Sequence, residues 1–432
     1  MSHEHSQSFS LWSSEGRVCG LQGPLILAQL PLARLGSMCE IEISGGRTIS
    51  GTITSCTDDS VRIAPLEEMV GISIGSRVRS PGVSFTPKVP RDISGCVLGA
   101  TGEKLNEALA SPDEFQKIPL NNQPPKALER TLINNQLITG ITAIDCLVPI
   151  GYGQRLSLSA PAGTGKSTLL ATLTQGADID HTVIALIGER GREVGEFVSH
   201  TLGEEGLNRS TVIVATSDEV PIRKVLASDL AFSIAESLRL QGKRVLLIVD
   251  SLTRLARAMR DVGLANGELP VRQGYPASVL IALPRLLERA GATAHGSITL
   301  ICSLLAEENS GNDYLCHEIA SLLDGHLVLD PHRAARGLYP ALDPLQSLSR
   351  LSNALLSSTE LSERAKLLTV LGRLERDRDL ALLGGTIDPE LKHYLNKERA
   401  IDTFLTQERG MTRDRNTSQK ALEELNRALT IE

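Results

Sequence analysis

The chain has 432 residues, 41% of them hydrophobic and only 3% aromatic, with a formal net charge of −7. That length exceeds one compact core and predicts two or three folded units with aliphatic interiors. The acidic balance disfavours a general nucleic-acid binder, no apolar run approaches the ~18 residues needed to cross a bilayer, and seven scattered cysteines without a C-x-x-C pair predict reduced thiols rather than disulfides or zinc.

Residues 1–14 carry no Lys or Arg and no apolar core, so they predict a flexible segment and not a secretory leader. Residues 15–90 hold short β-like runs at Leu25–Leu30, Cys39–Ile43, Thr48–Thr54, Val61–Ala64 and Ser76–Val78. Gly45-Gly46 between two of them reads as a hairpin turn. Runs at this spacing predict a small closed β-barrel. Phe85 stands alone as an aromatic and the strands have few Lys or Arg, which favours a structural or assembly role over oligonucleotide binding. Asn121–Pro125 then reads as a compact linker.

From about residue 138 strands alternate with helices. The run Arg155–Ser159 leads into APAGTGKSTLL at 160–170, a strand, a Gly-rich turn and a helix start in the order of a P-loop. Gly163 and Gly165 let the backbone curl N–H groups around an anion, and the turn from Gly163 through Thr164 and Gly165 to Thr168 is the expected nucleotide contact. Lys166 supplies a point charge to the β- and γ-phosphates, and the Ser167 hydroxyl is a hard oxygen ligand suited to Mg²⁺. Ala160 stands where G-x-x-x-x-G-K-[ST] has its first Gly, so the entry to the turn is expected to differ slightly.

Further apolar runs at Val183–Ile187, Val212–Ala215, Val245–Val249 and Ile298–Ile301 predict a parallel sheet covered on both faces. Pro221–Leu240 predicts a helix, with Pro221 in its first turn and Leu226, Leu230, Ile234 and Leu238 on one face. Asp250 closes the strand Val245–Val249, where a carboxylate would meet the P-loop and hold Mg²⁺ water ligands with Ser167. Glu189 follows the strand Val183–Ile187 and Gly188, placed to polarise a water, and Arg190 beside it is a partner for phosphate or for Glu189. Read locally, Glu189, Arg190 and Arg192 could equally be solvated charges opening a helix, and spacing does not choose. Beyond about 351 the strand signals fade. Leu367, Val370, Leu371 and Leu374 predict a helix stopped by Gly384-Gly385, and Leu422, Leu425 and Leu429 stripe another, giving a helical bundle over 351–432.

GERGREVGEF at 188–197, ATSD at 215–218, VDSLTRLARAMR at 249–260, GYPASVLIALPRLLERAG at 274–291, SLLDGHLVL at 321–329 and the segment Tyr339–Arg350 occur in one order. Together with Thr139-Gly140-Ile141 they strongly resemble the ATPases of type III protein export, which serve flagella and virulence injectisomes and are related to the catalytic subunit of rotary ATP synthases. The resemblance runs from about residue 15 and is most specific over 138–350. It implies an α/β fold with a RecA-like P-loop ATPase domain over 91–350, its core from about 138, an N-terminal β-barrel and a C-terminal helical domain. It implies ATP and Mg²⁺ as cofactors, with Lys166 and Ser167 on phosphate and metal and Asp250 in the metal shell. Glu189 matches the catalytic carboxylate, Tyr339 the adenine-stacking aromatic, and Arg350 an arginine finger reaching a neighbouring subunit's site.

The same resemblance implies a homohexamer at the cytoplasmic face of the inner membrane, peripherally associated. A stator-like regulatory subunit, export-gate components and export chaperone–substrate complexes would be its partners, and nucleic acid would not. The turn usually found after the barrel is altered at Leu98–Asn106, and the stretch after Ile298–Leu305 reads Ala306–Asn312. Phe9, Leu11 and Trp12 offer a small apolar group for docking a regulator or the membrane. Two rivals remain: a terminator-like hexameric nucleic-acid motor, which would need an aromatic, basic barrel, and a nucleotide-binding subunit of a rotary ATPase, which could dispense with Glu189.

Overall fold

The structure, a computed structural model, describes residues 14–106, 114–305, 314–382 and 388–430. Three sequence expectations lie outside them: the apolar group at Phe9–Trp12, the stretch Ala306–Asn312 and the helix stop at Gly384-Gly385.

Six strands close the N-terminal barrel: β1 (Ser14–Gln22), β2 (Leu25–Gln29), β3 (Met38–Glu42), β4 (Thr48–Cys56), β5 (Val61–Pro65) and β6 (Arg77–Ser80), in the order β1-β2-β5-β4-β3-β6. Alternation places Val18, Ile26, Ile41, Ile63 and Val78 inside. Gly45 and Gly46, both at positive φ, turn the β3–β4 hairpin inside the bond from the Ile43 N–H to the Arg47 carbonyl. Strand β1 has no counterpart among the expected runs. Val18 is its only buried residue, so its sequence lacks the apolar signal, and its pairing with β2 and β6 makes it a strand. The barrel is tied to the core where Arg62 Nη1 donates to the Asn266 carbonyl at 2.6 Å and Thr54 Oγ1 to Asn266 Oδ1 at 2.8 Å.

A nine-stranded sheet forms the centre. Its parallel strands are β7 (Val97–Gly99), β8 (Arg155–Ser159), β9 (His181–Ile187), β10 (Ser210–Ala215), β11 (Arg244–Asp250), β12 (Ser297–Leu304) and β13 (Gly325–Val328), with β14 (Leu348–Ser349) antiparallel on the edge and the two-residue strand Gly291–Ala292 antiparallel to the start of β12. Strand β8 lies between β13 and β12, and β11 lies between β12 and β9. The near-continuous burial of β9 to β12 is what their unbroken aliphatic sequences require between two helical layers. Helix α1 (Lys166–Gly176) leaves the P-loop, α2 (Gly191–Glu196) follows β9, α3 (Pro221–Leu240) covers the sheet as expected, and α4 (Leu252–Ala265) follows β11. The altered turn after β7 is fixed by Glu103, whose carboxylate accepts from Thr101 and pairs with Arg223 on α3.

The C-terminal region contains α5 (Ser358–Leu382), α6 (Pro389–Asn396), α7 (Glu398–Leu405) and α8 (Arg415–Leu429). The stripe residues Leu367, Val370, Leu422, Leu425 and Leu429 join one buried cluster with Leu169 and Leu170 of α1. The bundle is therefore packed onto the half of the core that carries the P-loop. Each such Leu contributes roughly 1.5–3 kcal/mol on burial.

Candidate active site at the carboxyl ends of the parallel strands

Parallel strands end on one side of a sheet, so residues just after β8, β9, β11 and β12 are brought together whatever their separation in sequence. After β8 the chain turns through Gly163 (φ 79°) and Gly165 (φ 85°) into α1. Gly165 is needed twice over, because its φ is left-handed and a Cβ there would stand 3.1 Å from Cε1 of Tyr339. Ala160 is buried and absent from the positive-φ positions, so the missing first Gly leaves the turn unstrained. Thr164 is buried and donates its hydroxyl to the Pro161 carbonyl at 2.8 Å, tying the loop across its own width.

Lys166 Nζ lies 2.5 Å from Asp250 Oδ1 and 3.9 Å from Glu189 Oε1. Asp250 Oδ1 also accepts from Ser303 Oγ at 2.6 Å, leaving Oδ2 without a hydrogen bond among the described residues. The Ser167 hydroxyl is exposed and similarly unengaged. Glu189 Oε2 pairs with Arg254 Nη1 at 2.7 Å, and that guanidinium also donates to the Gly188 carbonyl at 2.5 Å. Gly188 (φ 72°) permits this approach, since a Cβ there would meet the Arg254 side chain at 3.0 Å. Burial and then the negative charge of Asp250 push the Glu189 carboxyl above its ordinary range, while Lys166 and Arg254 pull the other way.

Tyr339 and Pro340 face Gly165 and Thr168 across a narrow cleft, whose lining also includes Gln407, Arg409 and Met411. The Gln407 N–H donates to the Tyr339 carbonyl at 2.8 Å, and its side-chain amide donates to the Gly140 carbonyl at 2.7 Å. The Thr139-Gly140-Ile141 segment is itself held by Asp145, which accepts from the N–H groups of Thr139 and Gly140 at 2.9 and 3.0 Å.

Of the expected site residues, Gly163, Thr164, Gly165, Lys166, Ser167, Thr168, Glu189, Asp250 and Tyr339 therefore meet in one place. Two stand apart. Arg190 is highly exposed and pairs with Glu193 one helical turn on, at 3.4 Å, so Glu189 is not its partner; the carboxylate is turned inward to Lys166 and Arg254. Arg350 follows β14 and its N–H donates to the Asp324 carbonyl, while the Asp324 N–H donates to the carbonyl of Arg155, the first residue of β8. The length of β8, roughly 13 Å, separates it from the loop that Ser159 enters. Sequence reasoning missed Arg254, Ser303 and Gln407. Arg254 lies in a helix one turn after Asp250, a position that could have flagged it, whereas Ser303 and Gln407 carried no local signal.

The arrangement suits a nucleotide triphosphate with a phosphate-bound Mg²⁺. No group of three or more His, Cys, Asp or Glu able to hold a metal by itself occurs among the described residues. A Mg²⁺ held largely by phosphates needs only one or two protein oxygens, and Ser167 Oγ and Asp250 Oδ2 are free to supply them.

Fold and site together define a P-loop ATPase, and residues 140–349 match the ATP synthase alpha/beta family, nucleotide-binding domain. The chain is 37% identical over 402 residues to the flagellum-specific ATP synthase of Treponema pallidum, covering 91% of this chain and 88% of that protein. It is 37% identical over 415 residues to the type 3 secretion system ATPase of Pseudomonas syringae pv. tomato, covering 94% and 92%. Among solved structures, the assembled ATPase EscN of the enteropathogenic E. coli type III secretion system superposes with a TM-score of 0.88 at 35% identity, over 95% of this chain and 100% of EscN. The chain belongs to the type III secretion and flagellar export ATPases. It is an ATP-binding, ATP-hydrolysing component of a type III export apparatus.

Proposed function

We propose that the chain hydrolyses Mg·ATP in a homohexamer and uses the cycle to release chaperones from export substrates and to load or unfold those substrates. The observation that carries the chemical part is the meeting of Lys166, Asp250 and Glu189 at the P-loop. Backbone N–H groups from Gly163 to Thr168 and the Lys166 ammonium bind the β- and γ-phosphates. Ser167 and Asp250 would hold Mg²⁺, which would offset the negative charge of the phosphates. Glu189, with its proton affinity raised by burial, orients a water and takes its proton, and Arg254 holds that carboxylate in place. Tyr339 stacks on the base. Arg190 has no part in the reaction in this reading.

Arg350 is the arginine finger, and it serves the next subunit's site. Its place at the opposite end of β8 from its own P-loop supports this, as does a guanidinium without a side-chain partner among the described residues. The solved assembly of EscN with its central stalk EscO, at 34% identity and a TM-score of 0.87, supports a ring and a stalk-like partner for this chain too. No helix among the described residues is long and apolar enough to cross a membrane. Peripheral association with the cytoplasmic face of the inner membrane, a stator-like regulator and export-gate components complete the proposal, with nucleic acid excluded as a partner. Residues 15–90, 91–350 and 351–432 are the corresponding units for assembly, catalysis and coupling.

The direct test is Glu189→Gln. The amide keeps the shape but cannot take a proton, so turnover should fall by roughly 10²–10⁴ while nucleotide affinity stays within a few-fold. Near-parental turnover would return Glu189 to the status of a structural ion-pair partner.

A further inference from the structure

The strand that ends in the P-loop begins in a polar network with no role in that site's chemistry. Arg155, with its side chain 15% exposed, brings Nε to 3.3 Å from Asp324 Oδ2, and its backbone N–H donates to the same oxygen at 3.0 Å. Its Nη1 pairs with Glu288, which also accepts from Arg130 Nη2 at 2.8 Å. Gln154 is fully buried and donates Nε2 to the Asp324 carbonyl at 3.2 Å and to Ser349 Oγ at 3.0 Å. The Asp324 carbonyl accepts from the Arg350 N–H at 3.0 Å.

These bonds converge on the backbone that carries Arg350. Strand β14 is two residues long and pairs only Leu348 and Ser349 with His326 and Gly325. So short a pairing is marginal alone. What fixes the direction in which the chain leaves β14 is therefore the anchorage of Asp324 and Ser349 to the start of β8. That strand is itself rigid, buried between β13 and β12.

We propose that Asp324, clasped by Arg155 and Gln154, is a positioning device that aims Arg350 into the neighbouring subunit's site. The inference rests on the reading of Arg350 as a finger in trans. Asp324 touches no substrate and acts through Arg350. The same network begins the strand that leads to the P-loop of its own subunit, so the competing account is an effect in cis, transmitted along β8. The two accounts differ in which subunit's site is damaged.

The experiment uses the full-length assembled protein carrying Asp324→Asn, with Ser349→Ala as a milder lesion should the first fail to assemble. A misplacement of about an ångström costs up to 10²-fold, so kcat should fall by roughly 10–10² with the KM for ATP within about twofold. Each variant is then co-assembled with Lys166→Ala subunits, whose own sites cannot turn over but whose Arg350 is correctly held. Activity per Asp324→Asn subunit should rise several-fold on mixing, because its intact P-loop now faces a well-aimed finger. Unchanged or lower activity per subunit would put the damage in cis and overturn the proposal, as would a parental kcat in both variants. The parallel mixture with Arg350→Ala separates the two claims. If Arg350→Ala alone is as active as the parent, the finger reading fails and takes this one with it. If the Arg350→Ala mixture recovers and the Asp324→Asn mixture does not, only the positioning role falls.

Discussion

The two ends of strand Arg155–Ser159 use charge in opposite ways. At its carboxyl end Lys166, Asp250, Glu189 and Arg254 satisfy one another around the space a triphosphate would fill. At its amino end the cations Arg155 and Arg130 are neutralised by Asp324 and Glu288, while the Arg350 guanidinium has no side-chain partner among the described residues. One end is preorganised within the chain and the other holds a cation in reserve. Under the proposed trans reading of Arg350, the contrast means that each subunit would supply the nucleotide-binding groups of one site and a cation to its neighbour's.

The largest expected effect falls on the reserved cation. Arg350→Ala should lower turnover by roughly 10³–10⁵, the range for arginine fingers, while equilibrium nucleotide binding stays near parental. If nucleotide affinity collapsed along with turnover, Arg350 would belong to the binding end after all and the contrast would dissolve.

A smaller effect is expected at the preorganised end. Arg254→Gln removes the cation that holds Glu189 Oε2 and should cost up to about 10² in kcat, in line with loss of positioning. Its diagnostic is the acid limb of the pH–rate profile. Arg254 favours the ionised carboxylate, so without it Glu189 keeps its proton to higher pH and the limb should move upward. A limb that stayed in place, with kcat lowered, would make Arg254 a packing residue.

Much of this was legible in the sequence, for identifiable reasons. The P-loop, Asp250 and α3 announce themselves locally, through glycine spacing, strand termination and helical periodicity, whereas Glu189 is singled out only by the family resemblance. The first barrel strand does not, because eight of its nine residues are not buried and only its pairing makes it a strand. Arg190 and Arg254 show the limit most clearly. Both lie near a strand-end carboxylate in sequence, yet a left-handed Gly188 turns Glu189 away from its neighbour and toward a helix sixty-odd residues on. Gln407 lies still further away, in a C-terminal segment whose register against Tyr339 depends on the packing of the whole bundle.

The smallest effect concerns stability and sharpens the view of the sheet as a rigid spacer. His181 opens β9, buried and hydrogen-bonded to Thr211 Oγ1 at 2.8 Å. Burial, with Lys243 adding to it and Asp92 opposing, pushes its pKa down to about 4. The folded chain keeps it neutral where the unfolded chain protonates near 6.5, so this contribution is present above pH 6.5 and lost as pH falls toward 4. It amounts to at most about 3 kcal/mol. Urea unfolding at pH 7.5 and pH 5 should show His181→Gln losing less stability on acidification than the parent; equal losses would mean His181 titrates alike in both states.

The central claim, a catalytic site shared between two chains, is tested most directly by mixing Arg350→Ala with Lys166→Ala protein under conditions where light scattering confirms co-assembly. Each variant alone lacks one half of every site. In the mixture, intact Lys166 meets intact Arg350 at a fraction of the interfaces, and ATP turnover should return well above the sum of the separate activities. Co-assembly without any gain in turnover would contradict the account and place Arg350 in the service of its own subunit.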